Sequence, residues 1–137
     1  DAVIARAFDT LPAADLRAQL VHLVREIFGF YARSPALSRS LLKEILFLEG
    51  DPGSTLAGLM ATFLGRAGDL VQQAADRGEL PVDTDVAQTL MAFFSFYMTC
   101  LICGVRGDVF QVNIWVEMFG RLLDDFILTG SPERTTR

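Results

Sequence analysis

Residues 86–105 read VAQTLMAFFSFYMTCLICGV, and no residue between Asp85 and Arg106 carries a formal charge. As an α-helix, this stretch would be about 30 Å long at roughly 1.5 Å per residue. Three adjacent stripes at helical spacing are apolar or nearly so: Val86, Leu90, Phe93, Tyr97, Leu101; Ala87, Met91, Phe94, Met98, Ile102; and Gln88, Ala92, Phe96, Thr99, Cys103. A helix that is apolar nearly all round is buried on every side or spans a membrane. This helix therefore carries more apolar surface than one helix–helix contact covers.

A membrane span is the first alternative for this stretch, because about 20 predominantly apolar residues cross a bilayer. Gln88, Thr89, Ser95 and Thr99 lower its hydrophobicity, and no basic cluster flanks it. Asp85, followed three residues later by Gln88, is typical of a helix start with a capping side chain. We therefore predict the central helix of a soluble bundle that does not enter a membrane.

Composition places the chain among globular domains. It has 137 residues, 51% of them hydrophobic and eleven of them Phe, which is enough for one substantial core. The net charge is −5 and the twelve Lys and Arg are dispersed singly, which argues against a nucleic-acid surface in this chain. Two Cys and no signal peptide at the start favour a reducing, cytoplasmic location. Because the sequence begins at Asp1 rather than at Met, we expect a fragment or a processed form.

Pro, Gly and capping residues divide the chain into amphipathic segments without a strand pattern. They predict an all-α protein, an antiparallel bundle of about six helices. The predicted helices cover residues 1–11, 12–33, 35–48, 52–77, 86–105 and 108–128. Residues 1–11 would be the end of a helix that begins further upstream, 12–130 the body of the domain, and 131–137 a disordered tail.

The fourth predicted helix contains Gly58, Gly65 and Gly68, each of which costs about 1 kcal/mol relative to Ala. Either another helix approaches closely at these positions or the segment is built to yield. We favour close packing, for which small residues are the usual device.

The last predicted helix has a wide apolar arc, because Ile114 and Met118 extend the face that carries Trp115 and Phe119. Two neighbouring helices with surplus apolar surface predict a homodimer with a four-helix contact across a twofold axis. The predicted interface residues are Phe96, Cys103, Trp115, Met118, Phe119, Leu122 and Phe126.

Signals for catalysis are weak in this sequence. Cys100 and Cys103 form a C-x-x-C, but they lie near the C-terminal end of an apolar helix, and His22 is the single histidine that could join a metal site. We interpret both cysteines as buried small hydrophobic residues. His22 shares the polar side of its helix with Asp15 and Glu26, which predicts exposure to solvent. Neither a metalloprotease nor a hydrolase motif is present, and we expect neither an enzyme nor a metal or cofactor site.

Aromatic and Met side chains from four predicted helices could surround one cavity, which would suit a small, flat, hydrophobic molecule. The candidate ligand-binding residues are Phe28, Tyr31, Phe47, Met60, Phe63, Phe94, Tyr97 and Met98. The simpler alternative is that these residues form an ordinary core.

Three local patterns resemble the C-terminal ligand-binding and dimerisation domain of TetR-family transcriptional repressors. They are YARSPALSRSLLKEILF at residues 31–47, the connector GEL at 78–80 that leads into the long apolar helix, and the closing amphipathic helix that ends in LTG at 128–130. The resemblance covers nearly the whole chain through loose motifs. It implies that residues 1–11 correspond to the helix that links the body to a DNA-binding headpiece.

The resemblance also implies a function. A ligand in the body would shift the linker helix and change the spacing of two DNA-binding headpieces across the dimer. The helix-turn-helix that would bind DNA lies outside this chain. A helical assembly module without a small-molecule ligand is the main alternative, and a small helical enzyme or a lipid carrier is the third.

Overall fold

The protein is all-α. The structure, a computed structural model, describes residues 2–47 and 55–127, apart from the side chains of residues 41, 45–47 and 55–57. The described residues form six α-helices and a short π-helix, and they contain no strand. The elements are α1 (Ala2–Asp9), α2 (Leu16–Arg33), α3 (Pro35–Phe47), α4 (Thr55–Asp76), α5 (Val86–Arg106), α6 (Val112–Leu122) and the π-helix (Leu123–Ile127). The predicted tail at 131–137 and the LTG at 128–130 lie outside the described residues.

Helix α2 begins at Leu16, four residues later than predicted. The Asp15 carboxylate accepts a hydrogen bond from the Ala18 N–H at 2.9 Å and so caps the helix. Leu16 N–H donates to Glu79 Oε1 at 2.8 Å, which ties this end of α2 to the connector after α4. The Asp15 cap and the long-range bond from Leu16 to Glu79 together set the start of α2 at Leu16.

Helix α5 begins where the sequence predicts. Asp85 accepts a hydrogen bond from the Gln88 N–H at 3.2 Å, and the helix ends as Gly107 N–H donates to Gly104 O at 3.3 Å. The start of the last helix was predicted wrongly. Helix α6 begins at Val112 rather than after Asp108, because the intervening segment folds back and places the Phe110 ring against Gly104.

Helix α2 is the centre of the bundle and contacts all five other α-helices. Arg25 donates to Asn113 at 3.1 Å near the start of α6, and Arg17 pairs with Asp124 at 2.6 Å near its end, so α2 and α6 run antiparallel. The core is formed by large, fully buried side chains of α2, α5, α6 and the π-helix. They include Leu16, Leu20, Leu23, Phe28, Phe93, Leu101, Phe119 and Leu123.

The short first helix belongs to the packed body. Its Phe8 is buried, with the ring centroid 6.1 Å from that of Phe63 on α4. The Arg66 guanidinium lies 4.3 Å above the Phe8 ring, a cation–π contact. Thr10 Oγ1 lies 2.8 Å from His22 Nε2, so the end of α1 is also fastened to α2. His22, which was predicted to be exposed to solvent, is therefore half-buried.

Candidate functional site

Five rings form an aromatic cluster in the core, which we define as Phe28, Phe63, Phe93, Phe94 and Tyr97. Tyr97 lies at its centre, because each of the other four rings packs against it. The centroid distances to Tyr97 are 5.4 Å for Phe63, 5.7 Å for Phe28, 5.8 Å for Phe94 and 6.2 Å for Phe93. Offset and tilted rings at these distances pack favourably. The cluster thus joins α2, α4 and α5 around one point.

The structure brings together most of the predicted ligand-binding residues. Phe28, Tyr31, Phe63 and Tyr97 are buried, and Phe94 and Met98 pack against the core from half-buried positions. Met60 is half-buried on α4 without a ring contact to the cluster, and the side chain of Phe47 lies outside the described residues.

Two aromatic residues in or next to the cluster were not among the predicted ligand-binding residues. Phe93 is fully buried in the cluster, and the Phe110 ring lies 5.3 Å from that of Phe28. Phe93 and Tyr97 share one helical stripe, which was a usable signal. Phe110 gave no such signal, because it lies in the loop between α5 and α6 and only the fold brings it to α2.

The two tyrosines keep their protons at neutral pH. Burial raises the pKa of Tyr97 well above its usual value, with a further rise from the nearby Tyr31. Burial also raises the pKa of Tyr31. A neutral phenol of this kind offers a hydrogen-bond donor to a molecule that enters the cluster.

The second feature is the outer apolar surface of the last two α-helices, which we call the α5–α6 face and define by Met91, Phe96, Cys103, Ile114, Met118 and Phe126. Of these, Met91 is 60% exposed, Ile114 54% and Phe126 70%. The Phe96 ring of α5 lies 6.1 Å from the Phe126 ring of the π-helix that follows α6, so the two elements meet on this surface. Contiguous exposed apolar side chains are typical of an interaction site.

Helix α5 is long and apolar enough to cross a membrane, with a mean hydropathy of 1.7. Only 22% of its 18-residue apolar window is buried within the chain. The core helix of a soluble protein would be mostly buried. Most of the other apolar side chains of α5 are half-buried against the core, and the exposed apolar ones are Ala87, Met91 and Cys103.

Two hydroxyl groups on the exposed side of α5 donate hydrogen bonds to backbone carbonyls of the same helix. Ser95 Oγ donates to Met91 O at 2.8 Å, and Thr99 Oγ1 donates to Ser95 O at 2.9 Å. These local bonds satisfy the hydroxyls without a partner from outside. The surface between Met91 and Cys103 can thus be covered by apolar groups without leaving a donor unpaired.

The predicted interface residues divide into three groups. Cys103, Met118 and Phe126 are exposed, whereas Phe96, Trp115 and Leu122 are half-buried. Phe119 is fully buried, with its ring 5.7 Å from that of Phe93, so it is a core residue that a second copy could not contact. Met91 was not among the predicted residues, although it lies on the same exposed side.

The cysteines differ from each other. Cys100 is buried as predicted, and burial raises the pKa of its thiol to about 11. Cys103 is exposed, so its interpretation as a buried residue was wrong for this chain alone. Within residues 2–47 and 55–127, no group of three or more His, Cys, Asp and Glu lies close enough together to hold a metal ion.

Comparisons of the chain with protein-family models, with curated proteins and with solved structures gave no match. The aromatic cluster and the α5–α6 face are therefore the two features from which a function can be inferred.

Proposed function

We propose that this chain is the ligand-sensing and dimerising body of a TetR-like transcriptional repressor. The α5–α6 face would bind a second copy of the chain, and the aromatic cluster would bind a small hydrophobic effector. The observation that carries the proposal is the set of large hydrophobic side chains left exposed on the α5–α6 face, which are Met91, Ile114, Met118 and Phe126. DNA binding would belong to a separate helix-turn-helix, as the sequence resemblance implies.

A second copy of this chain is the partner that suits the α5–α6 face best. Its apolar residues lie on two adjacent helices, so a twofold axis would bring four helices together and cover both copies at once. Polar residues border the face, with Arg121 and Glu117 paired at 2.8 Å on the solvent side of α6. An apolar centre with a polar rim is the common arrangement of protein interfaces.

A lipid bilayer is the competing explanation of the exposed side of α5. The opposite side of the same helix argues against it, because Phe93 and Leu101 are fully buried against other helices. Those helices carry charges on their outer surfaces, such as Arg25 and Asp69. A helix inside a bilayer would have lipid or other apolar helices around it.

The effector would act through the same rings that hold the cluster together. Phe63 packs on Tyr97 at 5.4 Å and on Phe8 of α1 at 6.1 Å. A molecule that inserts beside Tyr97 would displace Phe63, and with it the ring contact that positions α1. A ligand with different affinities for two positions of α1 would shift the equilibrium between them.

The dimer is tested by mutation of the α5–α6 face. Met118→Glu and Phe126→Glu should convert a dimer to a monomer in sedimentation equilibrium, because each places an unpaired charge in an apolar contact. Leu37→Glu and Val82→Glu are matched controls, since both residues are exposed hydrophobics on other elements. Should all four variants sediment like the wild type, the face would not be a dimer contact. Binding of the purified chain to neutral lipid vesicles would favour the membrane explanation instead.

The effector is tested by a thermal-shift screen of small aromatic compounds, since a ligand of the folded state raises its stability by mass action. Tyr97→Ala and Phe94→Ala should abolish the shift while the protein still dimerises. A chain that dimerises but responds to no aromatic compound would fit the helical assembly module instead.

A further inference from the structure

A surface cavity of about 180 Å³ lies at the corner between α2 and α3, beside the loop that joins α5 to α6. Tyr31, Ser38, Arg39, Asp108 and Phe110 are among its lining residues. We infer that this corner cavity binds a small aromatic carboxylate, with its ring and its acidic group both inside the cavity. The inference rests on the proposed function in one respect, because it names the chemical class of the effector.

The cavity is continuous in packing with the aromatic cluster. Phe110 forms part of its wall and lies 5.3 Å from Phe28, which in turn lies 5.7 Å from Tyr97. Tyr31 also lines the cavity. A molecule that occupies the cavity would therefore contact Phe110, which packs directly on Phe28 of the cluster.

The corner is a well-fixed part of the fold. Ser38 is 1% exposed, and its Oγ lies 3.0 Å from Tyr31 O and 2.7 Å from Ser34 O. On the opposite wall, Gly104 allows the Phe110 ring to lie directly on α5. Both walls are thus held in place without a ligand.

The size of the cavity favours a single ring. A protein cavity of about 150 Å³ holds one benzene molecule, so 180 Å³ accommodates one ring with a small substituent. Larger drug-sized ligands need roughly 300 Å³ or more. The Phe110 and Tyr31 rings provide apolar surface for such a ring.

The charges favour an acid. Arg39 forms no ion pair with any residue that the structure describes, and its planar guanidinium suits a carboxylate. Arg39 is the one basic residue among the described residues of the wall. Asp108 is the one acidic residue among the described residues of the wall, and it would repel an anion placed next to it. The carboxylate is therefore expected on the Arg39 side.

Three probes of one size separate these contributions in calorimetric titrations of the intact chain. They are benzoate, benzylamine and toluene, which carry a negative, a positive and no charge. We expect benzoate to bind at least tenfold more tightly than benzylamine. Arg39→Gln should weaken benzoate about tenfold, as loss of a charge-assisted hydrogen bond does, and leave toluene unchanged. Asp108→Asn should leave benzoate binding equal or slightly tighter.

Lys43→Gln is the matched control, because it removes the same charge from an exposed position of α3 outside the described cavity lining. An equal loss of benzoate binding in Arg39→Gln and Lys43→Gln would overturn the inference, and so would a preference for benzylamine or the absence of benzoate binding.

Toluene distinguishes the inference from the proposed function. If toluene binds and Tyr97→Ala abolishes this binding while benzoate shows no dependence on Arg39, the inference fails and the proposed function stands. If neither aromatic probe binds and the chain is monomeric, both fail.

Discussion

Helix α5 presents two apolar faces with different surroundings. On the inner face, Phe93 and Leu101 are fully buried and Tyr97 is 7% exposed. On the outer face, Met91 is 60% exposed and Thr99 is also exposed. The outer face is the less apolar of the two, because Gln88, Ser95 and Thr99 interrupt it. The aromatic rings of α2 and α4 select the inner face because they interlock with Phe93 and Tyr97.

The largest expected effect comes from truncating a buried residue of α5 and comparing it with the truncation of a nearby exposed residue. Phe93→Ala should lower the free energy of unfolding by about 3–5 kcal/mol, because it leaves a cavity among packed rings. Met91→Ala, two residues away, should change it by no more than about 0.5 kcal/mol under conditions where the chain is monomeric. Urea denaturation at low protein concentration measures both. Similar losses in the two variants would mean that the outer face is also packed within one chain.

A smaller loss is expected at the end of the inner face. A Cβ at Gly104 would lie closer than van der Waals contact to the Phe110 ring. Gly104→Ala should therefore cost about 1–3 kcal/mol, as overpacking does. The double variant Gly104→Ala, Phe110→Ala should lose little more than Phe110→Ala alone, since the clash is absent there. Additive losses in this cycle would show that Gly104 matters for another reason.

Chemical modification of the two cysteines compares the two faces of α5 without a mutation in the core. Iodoacetamide should modify the exposed Cys103 well before Cys100, because the thiolate is the reactive form and the Cys100 pKa is raised to about 11. If a second copy covers the outer face, the modification rate of Cys103 should fall about tenfold as the protein concentration rises through the dimer dissociation constant. Cys103→Ser identifies the labelled site. A rate that stays constant while the protein dimerises would place Cys103 outside the contact.

The fold could be predicted from the sequence because helical periodicity and caps are local signals. Asp85 fixed the start of α5 correctly, whereas Pro12 and Asp108 suggested starts that the structure moves to Leu16 and Val112. In both cases, long-range contacts decided the boundary. Leu16 N–H bonds to Glu79, and Phe110 packs against Phe28.

The candidate site was only partly predictable for the same reason. Phe93 and Tyr97 share one helical stripe, yet only Tyr97 was among the predicted ligand-binding residues. The same periodicity assigned Phe119 to a dimer contact, although it packs on Phe93 inside the chain. Arg39 and Phe110 come from distant segments, and no spacing in the sequence predicts that they line one cavity.

The smallest effect should have the opposite sign and lies on α4. Among the residues that the structure describes, a Cβ at Gly58 or Gly65 would meet nothing within 4 Å, whereas one at Gly68 would meet Leu90 at 3.4 Å, so close packing within the described chain accounts for Gly68 alone. Gly65→Ala should therefore stabilise the protein by about 0.5–1 kcal/mol through helix propensity, and Gly68→Ala by less. Thermal unfolding of the two variants measures the difference. A loss of stability in Gly65→Ala, or a weaker dimer or ligand response, would reveal that a partner approaches α4 there, and the outer surface of the protein would then extend beyond the α5–α6 face.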